Sequence, residues 1–426
     1  MFNYYLQLGW RSLKRNPVLT ALMVFGIALG MAASMTTLTV FYMMGSDPIP
    51  WKSARLHYVQ IDNWDADDAY NATDGEPPNL LAYRDAVALM DAAKADKQTA
   101  MYAVRLPVQP EDEQIKPFFE WGRATSTDFF AMFEPRFKFG GAWSRTQDAQ
   151  HARVIVLNDE LNEKLFGSSD SIGKTVRIDG TDYAVVGVLR AWKPRIKYYD
   201  LWAGRFSAPE RFYIPFTAAI ELKAGLSKRD PAFLDSEDCW VRFWVELDSN
   251  TKLAEYRSFL DNYVAEQKKL GRLTRPLNNR LYNIVELLKA HHVVSSDIQV
   301  QSGLSLAFLA VCLLNTIGLL LAKFVRKSGE IGVRRALGAS RRQVFEQHLV
   351  EAGVIGITGG TLGLVLTGAG LWIVRALYPN FANFARLDWP MVLATIALAV
   401  VASLLAGVYP TWHACRIEPA IQIKMQ

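Results

Sequence analysis

The chain has 426 residues, of which 50% are hydrophobic and 21% charged, and its 47 Lys and Arg against 42 Asp and Glu give a net charge of +5. This length allows two or three domains. The three cysteines, Cys239, Cys312 and Cys415, are too few and too scattered for a disulfide framework, so no disulfide is predicted.

Four long stretches contain no charged residue: Asn16–Ser46, Ile298–Ala322, Ala352–Val374 and Trp389–Trp412. Each exceeds the ~20 residues that a helix needs to cross ~30 Å of hydrocarbon. We therefore predict transmembrane helices at 17–45, 298–322, 349–374 and 389–412. The first should be retained as an anchor, because its apolar run is far longer than the ~7 to 15 residues typical of a signal peptide.

The residues before the first span suggest an amphipathic helix over 1–16. Phe2, Leu6 and Leu13 recur at helical spacing, and Arg11 and Lys14 lie between them. Such a helix lies in the membrane interface. A basic flank that only fixes orientation is the alternative.

Basic residues near helix ends predict which side of the membrane is cytoplasmic, since they resist translocation. They precede the first span and are dense in 323–348, and they recur in the tail at 413–426. We expect both termini and the 323–348 segment to be cytoplasmic. The 46–297 segment and the short 375–388 loop are then outside.

The 46–297 segment has the composition of a soluble α+β domain. Helical spacing is seen over Tyr83–Ala95, Asn158–Phe166 and Lys252–Leu270. A further helix over Leu281–Val300 is expected to run into the second span as a stalk. Alternating β-branched and aromatic residues predict strands at Thr99–Val108, Val154–Leu157, Thr175–Ile178, Tyr183–Leu189 and Cys239–Leu247.

The stretch Gly167–Thr175, GSSDSIGKT, looks like a phosphate-binding loop, whose pattern is G-x-x-x-x-G-K-[ST]. Five residues separate Gly167 from Gly173, and the residues that follow predict a strand, where a phosphate loop opens a helix. Its expected place outside the membrane also separates it from ATP. We predict no nucleotide site here.

Three other features of the outer segment are candidate sites. Asp65, Asp67 and Asp68 lack the glycine and distal Glu of a calcium loop, so a solvated loop is favoured. The pair His291-His292 has no Cys or acidic partner at metal spacing, so no metal is expected. The aromatic residues of 192–216 suggest either a partner-binding or substrate-binding surface or packing within the domain.

The segment after the second span, Lys327–Phe345, predicts a helix, a turn and a second helix. Gly338 is placed to end the first helix, and Ser340 with Gln343 forms a capping box for the next. Apolar residues such as Ile331 and Leu337 give the segment a surface that lipid or a partner must cover. A basic loop that only fixes orientation does not need a helix end and a helix start at defined positions.

The third span contains two small-xxx-small patterns, Gly356 with Gly360 and Gly359 with Gly363. Glycines at this spacing let helix backbones approach closely. Either a dimer contact or packing within one protomer would use them.

Three segments of the sequence resemble one family of membrane transport proteins. GEIGVRRALGASRRQV, residues 329–344, is similar to the coupling segment of MacB-type ABC transporter permeases of the FtsX superfamily, with Gly329 where Arg is common. Residues 407–424, GVYPTWHACRIEPAIQIK, resemble the family's tail, and residues 154–189 resemble the β-rich part of its periplasmic domain. The order of one span, a large outer domain and three spans also agrees.

The resemblance implies the permease subunit of a transporter in the bacterial inner membrane, which works by mechanotransmission and is not itself catalytic. A cytoplasmic ATPase dimer on separate chains would bind ATP and Mg²⁺, and this chain would carry no cofactor. The other implied partners are a second permease, identical or paralogous, a periplasmic adaptor and an outer-membrane channel, but no nucleic acid. The residues expected to couple to the ATPase are Glu330, Ile331, Gly332, Arg334, Arg335, Leu337, Gly338, Arg341 and Arg342.

Export of periplasmic substrates is the leading interpretation. One alternative within the superfamily is a permease that extracts lipoproteins. Another is a non-transporting transducer that controls cell-wall hydrolases, as in the division protein FtsX, although its outer domain is usually much smaller. A membrane-tethered enzyme is disfavoured because the outer segment shows no plausible set of nucleophile and base.

Overall fold

The computed structural model describes residues 16–64, 70, 75–110, 115–167, 169–226, 231–326, 329, 333, 338–377 and 389–416. These residues form two compact units, a helical unit made of the chain up to Ser46 and from His292 onward, and a large domain over Asp47–His291. The predicted helix at 1–16, apart from its last residue, most of the 375–388 loop and the last ten residues of the tail lie outside the described residues.

The helices and strands are numbered here in chain order. The helices are α1 (Pro17–Gly45), α2 (Tyr83–Ala92), α3 (Asp128–Phe133), α4 (Arg145–Ala149), α5 (Asp159–Phe166), α6 (Phe216–Glu221), α7 (Asn250–Lys269), α8 (Ile284–Ala290), α9 (Ser296–Arg326), α10 (Arg341–Leu377) and α11 (Trp389–Arg416). The strands are β1 (Leu56–Gln60), β2 (Leu81–Ala82), β3 (Lys97–Gln109), β4 (Phe118–Thr125), β5 (Phe137–Gly140), β6 (Val154–Leu157), β7 (Thr175–Ile178), β8 (Thr181–Leu189), β9 (Phe212–Pro215), β10 (Cys239–Glu246) and β11 (Arg280–Asn283).

The helical unit contains four helices long and apolar enough to cross a membrane, namely α1, α9, α10 and α11. This confirms the four predicted spans, and α9 and α10 run beyond the predicted limits at both ends. Helix α1 packs against α9 and α10. Its buried residues Met23, Ile27 and Met31 share one apolar core with Leu309 of α9 and Ile355 of α10.

The large domain is α+β, as predicted, and is built on one mixed sheet. Its main path runs β11-β1-β10-β3-β4-β9-β6-β8-β5, and β7 pairs with both β3 and β8. The strands β3, β4, β9, β6, β8 and β7 therefore form a closed ring of hydrogen-bonded neighbours, with parallel pairs only at β4–β9 and β6–β8 among these six strands. Closure leaves no free edge within the ring. The strand residues Val104, Leu106, Ile155, Val176 and Ile214 belong to the buried core of this domain.

The aromatic region 192–216 packs within the large domain. Tyr198, Tyr199 and Phe212 are buried, and the ring of Trp192 stacks on Tyr199 with centroids 5.2 Å apart. Trp202 stacks on the buried Tyr58 of β1 at 5.2 Å. These contacts are the ones expected if the aromatic residues of 192–216 pack within the domain.

A fully buried charge network lies beside these aromatic rings. Nη2 of Arg123, on β4, contacts the carboxylates of Asp200, at 2.5 Å, and Glu210. The Lys197 ammonium lies 2.7 Å from Glu210, and the Arg242 guanidinium contacts Asp200. Burial raises the pKa of Glu210, but Arg123 and Lys197 outweigh burial and lower it to about 2.

The continuous stalk helix predicted over Leu281–Val300 is wrong, although Ile284–Ala290 and the residues from Ser296 onward are helical. Residues Arg280–Asn283 form strand β11 against β1, and α8 starts only after the Asn283 side chain accepts a hydrogen bond from the Glu286 N–H, at 2.9 Å. Helix α8 ends at Ala290, and His292 has a left-handed backbone with φ +44°. The cap and this turn interrupt an apolar pattern that by itself continues into α9.

Candidate functional site

The site lies where α9 ends and α10 begins, at the two ends of the predicted coupling segment. Gly338 has φ +102°, a conformation that glycine adopts without strain. The Gln343 N–H then donates to Ser340 Oγ at 3.2 Å, and the Ser340 N–H donates to the Gln343 side chain at 3.0 Å. The predicted capping box is therefore present and starts α10 at Arg341.

A buried charged cluster joins the two helices about three turns along α10 from this cap. The Lys323 ammonium of α9 lies 2.5 Å from Oε1 of Glu351 on α10, and both side chains are at most 2% exposed. Nδ1 of His348, one turn earlier on α10, lies 3.5 Å from Oε2 of the same carboxylate. The imidazole also packs on the buried ring of Phe324, with centroids 4.3 Å apart. The Glu351 carboxylate is thus contacted by Lys323 from α9 and by His348 from α10.

The physical consequence is a fixed distance between α9 and α10. An isolated charge in hydrocarbon or in a protein core is costly, and an opposite charge in contact recovers most of that cost. Separating the helices here would break the contact between the buried ammonium of Lys323 and the buried carboxylate of Glu351. The fourteen residues between Arg326 and Arg341 therefore connect two helices that are held together by this contact.

Helix α10 is also held by its glycines, which lie on two faces. A Cβ at Gly359 would lie 2.9 Å from Cγ2 of Ile27 on α1, and one at Gly363 would lie 3.0 Å from Cβ of Met31. A Cβ at Gly360 would lie 2.6 Å from Cβ of Ala399 on α11, and one at Gly356 would overlap Ser403. The four predicted glycines therefore contact α1 and α11 of the same chain.

The predicted coupling residues are described only in part. Gly338, Arg341 and Arg342 are described, and Arg342 is 88% exposed and donates to Glu346 four residues later, at 2.8 Å. The residues outside the described part are Glu330, Ile331, Gly332, Arg334, Arg335 and Leu337.

Sequence reasoning missed the Lys323–Glu351 pair, because Lys323 was interpreted as one of many orienting basic residues. The sequence does contain an indication of this pair. Both residues directly adjoin an uncharged stretch, Lys323 following Ala322 and Glu351 preceding Ala352. Charged residues at such depth usually pair with one another.

The phosphate-loop look-alike has the reverse of the required geometry. Helix α5 ends before GSSDSIGKT, with Gly167 in the left-handed conformation at φ +70°, and β7 begins at Thr175. The Lys174 ammonium lies 4.8 Å from the centre of the Phe166 ring. Within the described residues, this stretch connects a helix to a strand.

Two further sequence candidates lie in or beside the large domain. The His291 ring packs edge-on against Trp202, with centroids 4.9 Å apart. The described part of the chain contains no group of three or more His, Cys, Asp or Glu arranged to hold a metal ion. Asp65, Asp67 and Asp68 lie outside the described residues.

A large α+β domain that follows the first of four helices long and apolar enough to cross a membrane defines a multi-span membrane protein. Models of known families match both the inserted-domain part and the C-terminal helical part of the chain. Residues 20–262 match the MacB-like periplasmic core domain, and residues 302–419 match the FtsX-like permease C-terminal region. The chain belongs to the MacB-type permeases of the FtsX superfamily.

Its relatives include exporters. The pyoverdine export ATP-binding/permease protein PvdT of Pseudomonas entomophila is 25% identical over 97% of this chain and 58% of its own length. The macrolide export ATP-binding/permease protein MacB of Escherichia coli O157:H7 is 22% identical over 98% of this chain and 60% of its own length. The chain thus spans about three fifths of these relatives.

Other similar proteins match a larger share of their own length. The uncharacterized ABC transporter permease YvrN of Bacillus subtilis is 22% identical over 70% of this chain and 68% of its own length. Among solved structures, the periplasmic region of MacB from Actinobacillus actinomycetemcomitans covers 57% of this chain and 95% of its own, with 15% identity and a TM-score of 0.38.

Proposed function

We propose that this chain is the permease subunit of an ABC transporter in the bacterial inner membrane, which exports substrates from the periplasm. The observation that carries the proposal is the pair of helices α9 and α10, tied by the buried Lys323–Glu351 contact beside a short basic connector. The export functions in the names of the PvdT and MacB relatives support the same direction.

The proposed mechanism is mechanotransmission. Closure of a cytoplasmic ATPase dimer moves the connector, and the ion pair makes α9 and α10 move as one body. Helix α1 follows, because it packs on both through Met23, Ile27 and Met31. The large domain is inserted between α1 and α9 in the sequence, so a movement of these helices reaches both of its ends.

ATP and Mg²⁺ belong, in this proposal, to the ATPase on separate chains. The phosphate-loop look-alike binds no nucleotide in this proposal, since it connects a helix to a strand. The further proposed partners are a second permease, a periplasmic adaptor and an outer-membrane channel.

The proposed orientation places both termini and the connector in the cytoplasm and the large domain in the periplasm. Single cysteines at Ser168 and Ser328, in a chain without Cys239, Cys312 and Cys415, should then react differently with a membrane-impermeant thiol reagent in intact cells. Ser168 should be labelled and Ser328 protected until the membrane is opened. Equal labelling at the two positions would contradict the orientation.

Reversing two connector charges should uncouple the transporter. In Arg334→Glu/Arg335→Glu, like-charge repulsion against acidic groups of the ATPase should replace attraction, and co-purification of the ATPase and export should both fall at least about tenfold. Each single charge removal should have a modest effect, because an exposed ion pair contributes only ~0 to 1 kcal/mol. The measurement compares ATPase co-purification and substrate export between the double variant and the wild type at equal membrane abundance.

The matched control is Arg334→Lys/Arg335→Lys, which keeps both charges and should retain most of the coupling. Normal export by the double Glu variant would show that the connector only fixes topology. The proposed coupling function would then be wrong.

A further inference from the structure

The large domain contains a cleft of about 720 Å³ that the coupling mechanism does not use. Its walls come from α2, the start of β3, the 126–128 turn, α4 and α6. Such a volume lies in the ~300 to 1,000 Å³ range of small-molecule sites. The cleft is therefore large enough for an organic molecule of drug size.

One wall of the cleft is apolar and aromatic. Tyr83, Val87 and Met90 of α2 face it, together with Phe216 and Ile220 of α6. The Tyr83 ring is held in place by stacking on Trp240, with centroids 5.9 Å apart and an interplanar angle of 4°. This wall offers a preformed surface for a flat or hydrophobic molecule.

The charged groups that line the cleft are mainly acidic. Five carboxylates line the cleft against two permanent cations, Lys97 and Arg145, and the imidazole of His151. Arg145 is paired with Asp128 at 2.9 Å, and His151 with Glu221 at 2.5 Å. The carboxylates that line the cleft are Asp91, Asp96, Asp128, Asp148 and Glu221.

Asp148 is held by neutral donors. Its carboxylate accepts from the Thr127 N–H at 2.7 Å and from the Trp143 indole N–H at 2.9 Å. Burial raises its pKa to about 6, and the nearby charge of Asp128 adds to that rise. A positive group brought into the cleft would stabilise the ionised form of Asp148.

We infer that this cleft binds an organic cation with an apolar, preferably aromatic body. The apolar wall receives the body, and the acidic rim and Asp148 attract the charge. This inference concerns binding and stands independently of the proposed export function.

The test uses the full chain in lipid nanodiscs without an ATPase, so that a failure of export does not affect the result. The probe is rhodamine 6G, a flat cationic dye, and binding is followed by fluorescence polarisation. Fluorescein, which has the same tricyclic ring system but is anionic, is the comparison probe. Saturable binding of rhodamine 6G and at least about tenfold weaker binding of fluorescein are expected.

Val87→Trp fills the cleft from a half-buried position and should weaken rhodamine 6G binding at least about tenfold. The control Ile172→Trp adds the same side chain at an exposed position outside the cleft and should leave binding unchanged. Asp91→Asn/Glu221→Gln, at two exposed positions, should weaken binding at least about threefold without endangering the core. Equal binding of the two dyes, or binding unaffected by a folded Val87→Trp protein, would overturn the inference.

Discussion

Lys323→Met is expected to lower the free energy of unfolding of the helical unit by about 3 to 5 kcal/mol, because it removes the buried ammonium group that lies 2.5 Å from the buried Glu351 carboxylate. Glu351→Leu should cost a similar amount for the converse reason. The double variant Lys323→Met/Glu351→Leu should return to within about 1 kcal/mol of the wild type, since two apolar side chains replace the pair. Unfolding of the full chain in detergent and its abundance in membranes are the measurements.

The neighbouring ion pair on α10 provides the control. Arg342 is 88% exposed and its contact with Glu346 spans one helical turn, so Arg342→Met should change the free energy of unfolding by no more than about 0.5 kcal/mol. If Lys323→Met were as mild as this control, the pair would not fix α9 to α10. The proposed route of movement through these helices would then lose its support.

The membrane spans were predictable because their cause is local. A run of more than ~20 apolar residues without a charge is read directly from the chain, and bilayer thickness sets its length. The capping box at Ser340 was predictable for the same reason, since both of its partners lie within three residues. Strand β6 and helix α5 also follow their local patterns.

The cluster at Glu351 and the network at Arg123 were not predictable in this way. Lys323 and Glu351 are 28 positions apart, and Arg123 meets Asp200 across 77. No local pattern encodes such contacts, because the packing of distant elements decides which charge meets which. The error at Leu281–Val300 has a related origin, since pairing of Arg280–Asn283 with β1 outweighed the helical pattern.

The Arg123 network should respond unequally to the loss of its members. Arg123, Lys197 and Arg242 set three cations against two carboxylates, Asp200 and Glu210. Removing Arg123 leaves two cations with two carboxylates, and it also removes Nε and Nη1, which have no hydrogen-bond partner among the described residues. Removing Glu210 leaves three buried cations with one carboxylate.

Glu210→Gln should therefore destabilise the large domain by about 3 to 5 kcal/mol, and Arg123→Met by clearly less, because only the first change leaves buried cations unpaired.

The folded-state pKa of Glu210 is depressed to about 2. The contribution of Glu210 to stability is therefore complete above its unfolded pKa near 4.5, and it is lost as the pH falls from there towards 2. Wild type should lose stability over that window, and Glu210→Gln should show a shallower loss, with the remainder due to other carboxylates such as Asp200, whose pKa is also lowered. Hydrogen exchange in β4 and β9 of the full chain, measured against pH, tests both statements. Arg177→Met, in the exposed pair with Asp182, is the control and should leave exchange unchanged. Equal costs for Glu210→Gln and Arg123→Met would contradict the charge imbalance on which the argument depends.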